Sequence, residues 1–201
     1  MTELHLGIFD RSEAVDRALE ARCPRILTDL RVSSDADLLA ALAAPRGLHR
    51  ALYGGLAAAD DDDLAGHYRG GDHPALENRM VYFSFNDTEG TTNIAAPHEV
   101  GALMDQYGGL LRLHGLRGMS SVEQKLATVA PLMVLFGLIH PFADGNGHVQ
   151  RMTVQCLVER SGFAMAPEWN VHPCPYGEDV HRALAAADLA KVAALLRRFV
   201  A

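Results

Sequence analysis

A bundle of α-helices carrying one small β-hairpin is the architecture expected of this chain, on three observations. Alanine- and leucine-rich stretches with helical spacing dominate its 201 residues. Only Val81-Tyr82-Phe83-Ser84-Phe85 has the β-branched and aromatic content of a strand. Recognisable stops, such as Pro141 after Ile139 and Gly162 after Ser161, divide the helical stretches. The length suits one compact unit, read as an N-terminal helical extension over 1–45 and a main domain over 46–201.

The spacing predicts helices over Ser12 to Cys23, Ser34 to Ala44, Gly47 to Ala58, Pro97 to His114, Ser121 to Ile139, His148 to Ser161 and Glu178 to Val200. The fifth is the most regular: Val122, Leu126, Val129, Met133, Phe136 and Ile139 form an apolar stripe, and Ser121 with Gln124 makes a capping box. After the strand at Val81, the turn-prone Asn86 to Gly90 and a second extended piece, Thr91 to Ile94, complete a hairpin. The acidic run Asp60 to Asp63 reads as a solvated loop or helix start. Two prolines make Trp169 to Tyr176 an extended loop that serves as packing or pocket wall.

A net charge of −7 argues against a nucleic-acid binder, which normally shows a basic face. Cys23, Cys156 and Cys174 are few, scattered and odd in number, as thiols of a reducing compartment are, rather than a disulfide frame or zinc site. The longest apolar run, Ala130 to Ile139, is too short to span a bilayer, and the N-terminus lacks a signal peptide's pattern. A cytoplasmic protein with no membrane partner is the expectation, although the sequence does not rule out delivery into another cell.

Chemistry concentrates in His140 to Arg151, HPFADGNGHVQR. Pro141 ends the preceding helix, which places His140 at its exit, with Phe142 turned back as an anchor. Gly145, Asn146 and Gly147 suit a tight loop that opens a second helix, whose unpaired N–H groups and dipole attract an anion. Arg151, one turn further on, has the fork to hold phosphate oxygens. Asp144 carries the wrong charge for that anion unless a divalent cation stands between them, and Mg²⁺ suits one carboxylate plus phosphate oxygens.

This segment resembles the signature of the Fic (filamentation induced by cAMP) family, HPFx[D/E]GNGRxxR, and matches eight of its nine fixed positions, with His148 in place of an arginine. The weaker resemblance outside the motif runs from Leu48 to the C-terminus and includes the GHYR at 66–69. It implies the Fic fold and a transferase that moves a nucleotide monophosphate, first of all AMP from ATP, onto a hydroxyl of a target protein. By position, the resemblance makes His140 the base and Asp144 the Mg²⁺ ligand. Gly145, Asn146, Gly147, His148 and Arg151 fall on its phosphate- and nucleotide-binding positions. It also makes Val81, Tyr82, Phe83, Ser84 and Phe85 part of a flap that binds the target's backbone.

His148 is shorter than arginine, mostly neutral near pH 7 and unable to make the same fork. Slower nucleotide transfer, a different phosphate-containing donor, or a rearranged pocket are the open consequences. Two other functions compete: a catalytically silent module that binds phosphate or peptide, and a metal-dependent hydrolase using His140, Asp144 and His148 as ligands. Fic proteins are often restrained by [S/T]xxxE[G/N]. Here Glu77-Asn78 and Glu89-Gly90 follow His73 and Phe85 at the position of the Ser or Thr, so either a separate inhibitory, antitoxin-like protein supplies the restraint or the His148 change lowers activity enough to do without one.

Overall fold

The computed structural model describes residues 12–56, 64–71, 73–81, 94–116 and 118–201. Eight α-helices are present among these: α1 (Glu13–Val32), α2 (Asp35–Ala43), α3 (Arg46–Tyr53), α4 (Val100–His114), α5 (Val122–Ile139), α6 (Asn146–Arg160), α7 (Glu178–Ala185) and α8 (Leu189–Arg197). Short 3₁₀ turns occur at Pro74–Leu76 and Pro97–Glu99. The architecture is mostly helical, and the described residues contain no strand beyond an isolated bridge between Met165 and Val200. Of the expected hairpin, residues 82–93 lie outside the described residues, including Tyr82, Phe83, Ser84 and Phe85 of the flap; Val81 is in irregular backbone.

α5 lies at the centre, packing on α4, α6, α7 and α8. By length and composition it is apolar enough to cross a membrane. Its stripe of Leu126, Val129, Met133, Phe136 and Ile139 is nevertheless buried in the bundle core, as a core helix's would be. α6 is enclosed almost all round, from Val149 to Val158. The same core continues into α1 through Val15, Leu19, Cys23, Ile26 and Leu27, so the N-terminal helix packs on α3 and α6. Arg31 of α1 grips Glu159 of α6 bidentately at 2.8 and 2.7 Å, and Arg160 ties α6 to α2 by reaching Asp35 at 2.8 Å.

Three boundaries differ from the spacing. α1 runs through Pro24 to Val32, because burial of Ile26, Leu27 and Leu30 beyond it, at roughly 1.5–3 kcal/mol per fully buried side chain, outweighs the ~3 kcal/mol cost of a helical proline. α3 stops at Tyr53, where Gly54 caps it. The expected C-terminal helix is two: Ala187 takes a left-handed φ of 53°, and Asp188 starts α8 by accepting from the Lys191 N–H at 2.9 Å.

Candidate active site

The exit of α5 and the entrance of α6 make one structure. His140 caps α5 with φ 47° and ψ 60°, a left-handed conformation costing a non-glycine residue about 1–2 kcal/mol. Arg69 holds it there. This arginine is fully buried, and its guanidinium donates to the carbonyls of His140 at 2.8 Å, Ile139 at 2.9 Å, Arg79 at 3.0 Å and Ala95 at 3.0 Å. Its own N–H donates to the Pro141 carbonyl at 2.8 Å. Burial lowers the Arg69 pKa to about 10, which still leaves it charged at neutral pH.

The His140 ring is half-buried, with Nδ1 3.3 Å from the Gly137 carbonyl. Nδ1 therefore carries the hydrogen, and the lone pair sits on Nε2. Burial, reinforced by the Arg69 charge, lowers its pKa to about 4, against a small opposing effect of the Gly137 contact. The ring is neutral and able to accept a proton throughout the physiological range.

Between the two helices, the Asn146 carboxamide accepts from the Phe142 N–H at 2.9 Å and donates to the Phe142 carbonyl at 2.8 Å. Both polar ends of its side chain are thus engaged in shaping the loop. Phe142 is fully buried and stacks on His49 at 3.9 Å, as an anchor should. His49 accepts from the Gly66 N–H at Nδ1 and reaches the Asp144 carbonyl with Nε2 at 3.0 Å, which fixes its tautomer. Asp144 Oδ1 accepts from the Gly145 N–H at 2.6 Å, and the carboxylate remains half-exposed.

Gly145 starts α6 with φ 75°. A side chain here is excluded, since a Cβ would lie 2.3 Å from Tyr53 Cε2 and 2.7 Å from Cζ. The hydroxyl end of the Tyr53 ring therefore borders the mouth of α6. On its other side, a Cβ on Gly147 would meet the Arg151 guanidinium at 2.8 Å. Arg151 is only 4 % exposed, and its bonds are to the Val171 carbonyl at 2.8 Å and Cys174 Sγ at 3.4 Å. No carboxylate pairs with it among the described residues. A buried charge in that condition is costly unless an anion completes its environment.

His148 stands behind the mouth, not in it. Tyr53 Oη is 2.8 Å from its Nδ1, and His172 Nδ1 is 3.0 Å from its Nε2, so both ring nitrogens are engaged. Burial, then Arg151, His172 and His49, lower its pKa to about 3. The ligand set His140, Asp144 and His148 does not form: no group of three His, Cys, Asp or Glu side chains suited to a metal occurs among the described residues. The three cysteines are free, with Cys174 exposed.

Sequence reasoning missed Arg69, His49, Tyr53 and His172. The GHYR resemblance pointed at Arg69 without a role. His49 and Tyr53 share an α3 face at i, i+4 spacing, but only the fold brings that face to Gly145.

The Fic/DOC family model matches residues 42–158, more than half of the chain. No curated protein matches. Among solved structures, the Fic domain of a VirB-translocated Bep effector from Bartonella sp. AR 15-3 aligns at TM-score 0.65 and 18 % identity, covering 94 % of this chain and 82 % of that one. A Fic domain from Bartonella quintana with bound ADP aligns at TM-score 0.64 and 16 % identity, covering 94 % and 85 %. BepC from Bartonella tribocorum with bound AMPPNP aligns at TM-score 0.60 and 15 % identity, covering 94 % and 87 %. With His140 to Arg151 forming the α5–α6 loop and the first turns of α6, and the family model covering residues 42–158, the chain belongs to the Fic/DOC family.

Proposed function

We propose that this chain transfers a nucleotide monophosphate, AMP from ATP in the first instance, to a serine, threonine or tyrosine hydroxyl of a target protein. The observation that carries this reading is the buried, carboxylate-free guanidinium of Arg151 beside Gly147 at the mouth of α6: it requires an anion, and the helix N-terminus supplies aligned N–H donors for one. Neutral His140, with its lone pair on Nε2, suits the base that takes the hydroxyl proton as the oxygen attacks the α-phosphate. Arg151 and the α6 amides hold the leaving diphosphate. The nucleotides bound to the similar Bartonella domains lend support.

Asp144 fits a Mg²⁺ ligand, since one of its oxygens is anchored on the Gly145 amide and the carboxylate stays half-exposed. When bound, the ion would offset phosphate charge. Incubation with α-labelled ATP, Mg²⁺ and a cell lysate tests the reading. Label should appear on protein with the native chain and vanish with His140→Ala; transfer that survives the substitution, or none with any nucleotide, overturns it.

A second reading, a phosphate-binding module without transfer, draws on the Tyr53 ring packed against Gly145 at the mouth. It predicts nucleotide binding without labelled product.

A further inference from the structure

Two hydrogen bonds and one longer ion-pair contact run from the α6 mouth to the protein surface. Tyr53 Oη lies 2.8 Å from His148 Nδ1, His148 Nε2 lies 3.0 Å from His172 Nδ1, and His172 Nε2 lies 3.8 Å from Asp16 Oδ1. The residues involved come from α3, α6, the loop before α7, and α1. Each of the two hydrogen bonds, Tyr53–His148 and His148–His172, holds one hydrogen, so the pair has a direction.

In one direction the Tyr53 hydroxyl donates inward to His148, His148 donates to His172, and His172 presents Nε2–H to Asp16. All three side chains are then uncharged. In the other, His172 donates from Nδ1 to His148, and His148 donates from Nδ1 to the Tyr53 oxygen. The phenol hydrogen is released from His148 and can point over Gly145. That second arrangement leaves His172 Nε2 bare opposite a carboxylate unless a proton from solvent joins it, forming an imidazolium paired with Asp16. Bonds balance with one proton added and none lost.

We propose that Tyr53 is an anion-contacting residue, turned toward the α6 mouth by reversal of this pair of hydrogen bonds, so that filling the mouth with a phosphate-type anion draws one proton onto His172 beside Asp16. The inference rests on the reading that the mouth takes an anion. The surrounding charges decide where the proton settles. Arg151 and His49 oppose positive charge on His148. Around Tyr53 stand Asp144, Arg151, Cys23 and Asp16. Of the two imidazoles, only His172 has a carboxylate at ion-pair distance. An anion in the mouth compensates the added charge, so binding and protonation favour one another.

The test is calorimetric titration of the full chain with sodium sulfate, a tetrahedral anion that does not itself titrate in the neutral range, in buffers of different ionisation enthalpy. Uptake approaching one proton per sulfate is expected, with affinity falling about tenfold per pH unit on the alkaline side of the transition. His172→Gln should bind sulfate with no uptake and a flat pH dependence. Tyr53→Phe, which preserves the ring, should bind several-fold more weakly and without uptake. Binding without proton uptake, uptake that persists in His172→Gln, or equal affinity in Tyr53→Phe overturns the proposal. Absence of saturable sulfate binding also overturns it, while the label-transfer experiment decides the catalytic reading separately.

Discussion

The Arg69 guanidinium donates to the carbonyl oxygen of His140 at 2.8 Å and to that of Ile139 at 2.9 Å, so one fork holds the last turn of α5 and the residue that leaves it. Arg69→Lys keeps the charge and loses the fork. We expect a loss of about 2 kcal/mol or more of stability in urea unfolding, from carbonyls left without donors. Label transfer should fall at least about tenfold as the imidazole loses its orientation. Wild-type transfer in this variant would show that the base is positioned otherwise.

The left-handed backbone of His140 separates its proposed catalytic role from its conformational one. His140→Ala and His140→Gly should both abolish transfer, but the glycine variant should be more stable than the alanine variant by about 1 kcal/mol, since only alanine bears the strain. Chemical denaturation of the pair measures this.

Arg151 sets stability against binding. Arg151→Met removes a buried charge that has no carboxylate partner at the cost of the hydrogen bonds to the Val171 carbonyl and Cys174 Sγ, so its unfolding midpoint without nucleotide should equal or exceed that of the native chain. Saturable ATP binding should disappear in the same variant. A marked destabilisation would mean that the guanidinium is already satisfied.

His148→Arg meets Tyr53 and His172 where the added guanidinium must go. ATP-dependent transfer should therefore rise more in His148→Arg with His172→Ala than in His148→Arg alone. Equal rates would point to a pocket limited elsewhere.

Two histidines govern the acid side of stability. Their folded pKa values, about 4 for His140 and about 3 for His148, lie below the ~6.5 of an unfolded histidine, so the unfolded chain binds more protons. The stability they contribute is complete above pH ~6.5 and is lost as pH falls toward those values. His148→Gln should shrink the loss between pH 7 and 5 by about 1–2 kcal/mol in urea titrations.

Local signals made much of this legible. Ser121, Ser34 and Ser12 each cap a helix, and α5 ends at Ile139 where Pro141 implied. The loop at Gly145 to Gly147 opens α6 as its glycines suggested. What escaped was long-range. Spacing cannot show that an arginine seventy residues upstream would thread to the His140 carbonyl, or that a loop read as pocket wall would bring His172 onto His148. The Asp188 cap that divides α7 from α8 was present in the alanine-rich tail, but its helical periodicity masked it.

Asp16 gives α1 a part in the site that the span of the family match does not cover. Truncation to residues 42–158 would remove Asp16 and Arg31 on one side and Glu159 and His172 on the other, so the Arg31–Glu159 pair and the contact of His148 with His172 would both be lost. A minimal fragment of that kind would keep every letter of the signature motif and still differ from the whole chain in how its anion pocket responds to acidity.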